Sequence, residues 1–88
     1  MRIRVTRSGG FAGLIHQAEV ETGDHPDAAE LERLATEAVA VGHPKPPPGV
    51  PDGFQYEITV NGRTAHCADP HLTDAQRRLF ERLLHEGA

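Results

Sequence analysis

FQYEITVNGRTAHC, residues 54–67, alternates apolar and polar side chains on both sides of an Asn-Gly pair. Phe54, Tyr56, Ile58 and Val60 fall on one face, and Gln55, Glu57 and Thr59 on the other. This two-residue period marks a half-buried strand. Asn61-Gly62 is the preferred dipeptide of a two-residue type I′ hairpin turn, in which both central residues take positive φ. Such a turn sets Val60 opposite Arg63, Ile58 opposite Ala65 and Tyr56 opposite Cys67. The apolar face then runs across the hairpin, with Thr59–Thr64 and Glu57–His66 on its polar side. In this register Cys67 is a small buried hydrophobe rather than a reactive thiol.

Upstream, residues 1–7 place Met1, Ile3 and Val5 on one face and Arg2, Arg4 and Thr6 on the other. Residues 14–21 alternate less cleanly, with Leu14, His16, Ala18 and Val20 pointing one way. Pairing Arg7 with Leu14 sets Val5 against His16, Ile3 against Ala18 and Met1 against Val20, and puts Arg2 opposite Glu19. The two segments read as a hairpin whose loop is residues 8–13. That loop, Ser8-Gly9-Gly10-Phe11-Ala12-Gly13, surrounds one of only three phenylalanines with three glycines.

Between the hairpins, Leu31, Leu34, Ala35, Ala38 and Val39 recur at helical spacing, with Glu30, Glu32, Arg33 and Glu37 on the opposite side. Asp27 and Glu30 have capping-box spacing, Pro26 suits a first helical turn, and Gly42 and Pro44 end the helix. Residues 43–53 hold five of the seven prolines and read as an extended, stiff connector with little secondary structure. A turn over residues 69–72 leads to a second capping box, Thr73 with Gln76. It opens a helix to about Glu86, with Ala75, Leu79, Phe80, Leu83 and Leu84 as its apolar side. The order β-β-α-β-β-α predicts a single α+β domain over residues 1–88. Its two hairpins form a four-stranded antiparallel sheet with two helices packed on it. The pattern leaves the strand order open.

Composition narrows the function. A net charge of −4 without a clustered basic face argues against nucleic acid. A lone cysteine makes no disulfide framework, and no apolar run approaches a membrane span or a signal peptide, so a cytoplasmic protein is the expectation. His16, His25, His43, His66, His71 and His85 lack the local spacing of a metal site and read as scattered surface or edge positions. No nucleophile elbow or phosphate loop is present, and Cys67 and His66, adjacent on a strand, point to opposite faces. The residues point to no catalytic group, metal or cofactor.

The Arg7–Gly13 loop after an N-terminal strand, followed by FQYEITV, resembles the emfourin family, small bacterial proteins that inhibit protealysin and related thermolysin-like zinc metalloproteases. The likeness in layout spans most of the chain, while its specificity rests on those two motifs. It implies a monomeric inhibitor, not an enzyme, docking on the catalytic cleft of a protease that supplies the zinc. Thermolysin-like enzymes favour a bulky apolar residue after the scissile bond. Phe11 at the loop tip would suit that pocket, and its glycine neighbours would let the backbone approach closely. Phe11 turned inward to cap the sheet is the other placement open. A different class of function also stands beside inhibition. A non-inhibitory adaptor would use a helix face or the two P-x-x-P spacings of the connector.

Overall fold

A computed structural model describes residues 1–9, 15–47, 53–69 and 71–86. In it Asn61 and Gly62 have φ of 49° and 85°, the positive pair that a type I′ turn demands. The turn joins β3 (Phe54–Val60) to β4 (Arg63–Ala68). Their register is the expected one throughout, including Val60↔Arg63, Ile58↔Ala65 and Tyr56↔Cys67. The Thr59 and Thr64 hydroxyls meet at 3.2 Å on the polar face.

The N-terminal hairpin joins β1 (Arg2–Gly9) to β2 (His16–Glu21), and here the structure corrects the expected register by two residues. Arg7 pairs with His16, Val5 with Ala18, Ile3 with Val20 and Arg2 with Glu21. A two-residue slip leaves inside and outside unchanged, so the alternation alone does not distinguish the two alignments. The observed one moves the His16 ring away from fully buried Val5. It also sets two arginines against two carboxylates, with Arg2–Glu21 at 3.9 Å, Arg4–Glu19 at 3.9 Å and Arg2–Glu19 at 4.0 Å. Ser8 and Gly9 are strand residues through their pairing with Gln55 and Phe54 of β3, and the connection covers residues 10–15 rather than 8–13. Residues 10–14 lie outside the described residues.

The hairpins adjoin through β1 and β3, giving a fully antiparallel sheet in the order β2-β1-β3-β4. Two helices, α1 (Ala28–Ala40) and α2 (Asp74–Glu86), cover its apolar face. The expected stripes supply the core: Leu31, Leu34, Ala35 and Ala38 from α1, and Leu79, Phe80, Leu83 and Leu84 from α2. The Phe80 ring stacks on Tyr56 with centroids 4.2 Å apart and planes within 1°.

The capping box of α2 forms as expected. Thr73 Oγ1 accepts from Gln76 N at 3.2 Å, and Gln76 Oε1 accepts from Thr73 N at 3.0 Å. Gln76 is 1% exposed, and its Nε2 also donates to Ala38 O at 3.2 Å, tying the start of α2 to the last turn of α1. The box expected at α1 does not form. Asp27 is the N-cap residue but makes no side-chain cap; its carboxylate accepts from Arg82 Nη2 of α2 at 2.6 Å instead. Glu30 bonds Arg33 at 2.8 Å, and Pro26 precedes the cap rather than opening the helix.

The connector after α1 is more structured than its composition suggests. His43 exchanges both backbone hydrogen bonds with His66, each 2.8 Å, adding one bridge to the outer edge of β4. Gln55 Nε2 then donates to Pro47 O at 3.4 Å. Gly42 lies so close to the sheet that a Cβ there would stand 2.7 Å from Ala65 Cβ. Among the described residues, no helix is long and apolar enough to cross a membrane.

Candidate functional site

The connection between β1 and β2 leaves the sheet at the end where β3 begins, and the strands fix its base. Ser8 pairs with Gln55 and Gly9 with Phe54. Gly9 has φ +94°, and a Cβ on it would meet Gly53 O at 3.2 Å. Glycine is needed there both for the left-handed backbone and for the close approach. Of the six residues expected to contact a partner, these two are held in β1. Gly10, Phe11, Ala12 and Gly13 lie outside the described residues. Ile15, on the return side of the connection, is 74% exposed.

Beneath this base the apolar face of the sheet ends in a polar cluster. Arg7 continues the inward row of Ile3 and Val5, and its guanidinium lies over the Phe54 ring, 4.5 Å from the centroid. Its Nη2 is 3.4 Å from His16 Nδ1. Arginine can only donate, so this contact uses His16 Nδ1 as acceptor. The buried Nε of Arg7 has no hydrogen-bond partner among the described residues. Burial pushes the Tyr56 hydroxyl above the usual tyrosine range and nearby Asp69 adds to this, while the charge and hydrogen bond of Arg7 oppose it. Asp69 closes the cluster from beyond β4. Its Oδ2 accepts from Phe54 N at 3.1 Å, and its own N donates to Phe54 O at 3.0 Å.

Arg7, His16 and Tyr56 form the sheet side of an open groove of about 770 Å³, whose other wall includes Leu72, Phe80 and Leu84. Charged Asp69, Arg77, Glu81 and Arg82 also line it. Arg77 pairs with Asp74 at 3.1 Å and Arg82 with Asp27, so these cations carry intramolecular partners. The cluster holds both feet of the connection in place, which reduces the ordering cost of using that connection for binding.

Cys67 has no part in this surface. It is buried, and desolvation, with Asp69 contributing, pushes its thiol up to about 12, so it stays protonated at neutral pH. The Arg7 cluster is not among the sites expected from the sequence. One signal was available: Arg7 has the parity of Ile3 and Val5, so a cation was due on the core face. The two-residue register slip hid its partner His16.

Comparisons with curated proteins and with solved structures return no match. A family model, by contrast, matches residues 5–84, from the middle of β1 to the last buried turn of α2. The chain therefore belongs to the Emfourin family.

Proposed function

We propose that this protein is a non-enzymatic, monomeric inhibitor of thermolysin-like zinc metalloproteases, acting at the catalytic cleft through the connection between β1 and β2. The observation that carries this reading is the Emfourin family match over residues 5–84. The anchoring of both feet of the connection favours the same surface: β3 holds Gly9, and Arg7 holds His16. Phe11 would enter the protease's apolar pocket, with Ser8, Gly9, Gly10, Ala12 and Gly13 along the cleft. Exposed Ile15 would add apolar contact beside it. The protease provides the zinc, and the inhibitor needs no cofactor of its own. The adaptor reading is less well supported at the first P-x-x-P spacing, Pro44–Pro47, where the Pro47 carbonyl accepts from Gln55, and the second, 48–51, lies outside the described residues.

Titrating the purified chain into a thermolysin-like enzyme while following peptide cleavage tests the proposal, with stoichiometric loss of activity as the expected result. Phe11→Ala should weaken inhibition by about 2 kcal/mol, roughly 30-fold, the usual threshold of an interface hot spot. Full inhibition by a Phe11→Ala variant of unchanged melting temperature would remove Phe11 from the interface. No effect of the wild-type chain on several such enzymes would overturn the function itself.

A further inference from the structure

The bridge between the connector and β4 aligns three metal-binding side chains that sequence spacing does not connect. His43 and His66 exchange both backbone hydrogen bonds, so they form a hydrogen-bonded antiparallel pair. In such a pair the Cα atoms are about 5.5 Å apart and both side chains project from the same face. On the other side of β4, His66 stands opposite Glu57 of β3. Ala65 and Cys67 are buried on the helix-covered face, so the row His43–His66–Glu57 runs across the polar face. His43 and Glu57 are exposed and His66 half-buried. Among the described residues, no hydrogen bond or ion pair engages any of these three side chains.

We propose that His43 and His66 form a cross-strand site for an imidazole-seeking transition-metal ion, Zn²⁺ or Cu²⁺, with Glu57 as the neighbouring carboxylate and water completing the shell. Tetrahedral zinc with Zn–N bonds of about 2.0–2.1 Å needs two ring nitrogens roughly 3.4 Å apart. Side chains whose Cβ atoms are about 4.5–5.5 Å apart reach that separation by rotamer adjustment alone. Imidazole suits zinc and copper, whereas a hard ion such as Mg²⁺ would favour an oxygen cage that this row does not offer. Among the described residues no three such ligands already converge, so the site is an open pair closed by the ion rather than a finished cage. Its physical effect is a clip. The ion would join the connector to an edge strand in a small domain with no disulfide, and would stabilise the folded chain by mass action.

The test uses the full chain, titrated with ZnCl2 by calorimetry, together with Cu²⁺-induced broadening of resolved histidine signals. One equivalent should bind, broadening should centre on His43 and His66, and the melting temperature should rise with ion concentration. His43→Asn and His66→Asn should each weaken binding by more than about tenfold, while His25→Asn and His71→Asn should leave it unchanged. His43 lies outside the core strands, so its variant reports on the site even if His66→Asn impairs folding. Absence of binding, or binding that survives His43→Asn, would overturn the proposal. Neither result depends on protease inhibition.

Discussion

Replacing Gln76 tests whether the two helices are joined by one buried side chain. Gln76 completes the capping box with Thr73 and also donates to Ala38 O at 3.2 Å, all from a residue 1% exposed. In Gln76→Ala the reciprocal cap is lost, at about 1 kcal/mol, and the Ala38 carbonyl is left buried without that donor, at about 1–3 kcal/mol. A total of about 2–4 kcal/mol corresponds to a melting temperature roughly 8–32 °C lower for a chain of this size. Gln76→Glu separates the two contributions. It keeps an oxygen to accept from Thr73 N–H but sets a carboxylate against the Ala38 carbonyl. Unable to donate when ionised, it should be at least as destabilising as alanine at pH 7. The sign with pH follows directly. A carboxyl that gains a hydrogen bond only when protonated has a folded pKa above the unfolded Glu value of about 4.3. Its stabilising effect is therefore present below that value and lost as pH rises through the folded pKa. Urea melts of both variants at pH 4 and 7 measure these effects. A loss under about 0.5 kcal/mol in Gln76→Ala, or wild-type stability of Gln76→Glu at pH 7, would refute the inter-helix role.

Two glycines provide a contrast that differential scanning calorimetry can read. Gly42→Ala puts a methyl 2.7 Å from Ala65 Cβ and 3.3 Å from Ala38 O and should cost about 1–3 kcal/mol through overpacking. Gly62→Ala meets nothing within 4 Å, so its cost, about 1–2 kcal/mol, comes from the left-handed backbone at φ +85° alone. Asparagine at position 62 should recover part of that loss, since Asn tolerates the left-handed region, whereas asparagine at position 42 should not. Cys67, with its thiol raised to about 12 by burial, should react with a thiol reagent only as fast as the chain opens. The associated stabilisation is complete below the unfolded thiol value of about 8.5 and erodes as pH rises above it. Alkaline melts of wild type and Cys67→Ala, the latter lacking this slope, check the sign.

The second hairpin was legible to the residue because Asn-Gly dictates both turn type and loop length, leaving one register. The first hairpin lacked such a punctuating pair. Its glycine-rich loop permits several lengths, and period-two alternation is blind to a slip of two. Capping boxes show the same limit. Thr73–Gln76 was readable because its partners are local, whereas Asp27 was drawn away by Arg82, a residue 55 positions distant. The Phe54 partner of Arg7 depends on strand order and the His43–His66 bridge on where the connector docks, and no local pattern encodes either. Of the expected contact residues, Ser8 and Gly9 took their places in β1, where they form the base of the connection rather than its loop.

The joining of β1 to β3 also bears on how quickly the chain folds. Each hairpin closes over a short loop and can form within microseconds, but Ile3↔Val60 and Val5↔Ile58 are separated by more than half the sequence. Until those pairs meet, neither hairpin has a completed core, and isolated two-stranded ribbons are marginal in water. The rate-limiting event should be the docking of two preformed hairpins, at a speed set by the closure of the long intervening segment. Because that segment contains α1, early helix formation would shorten the search, linking the Ala-rich stripe of α1 to the folding rate as well as to the core.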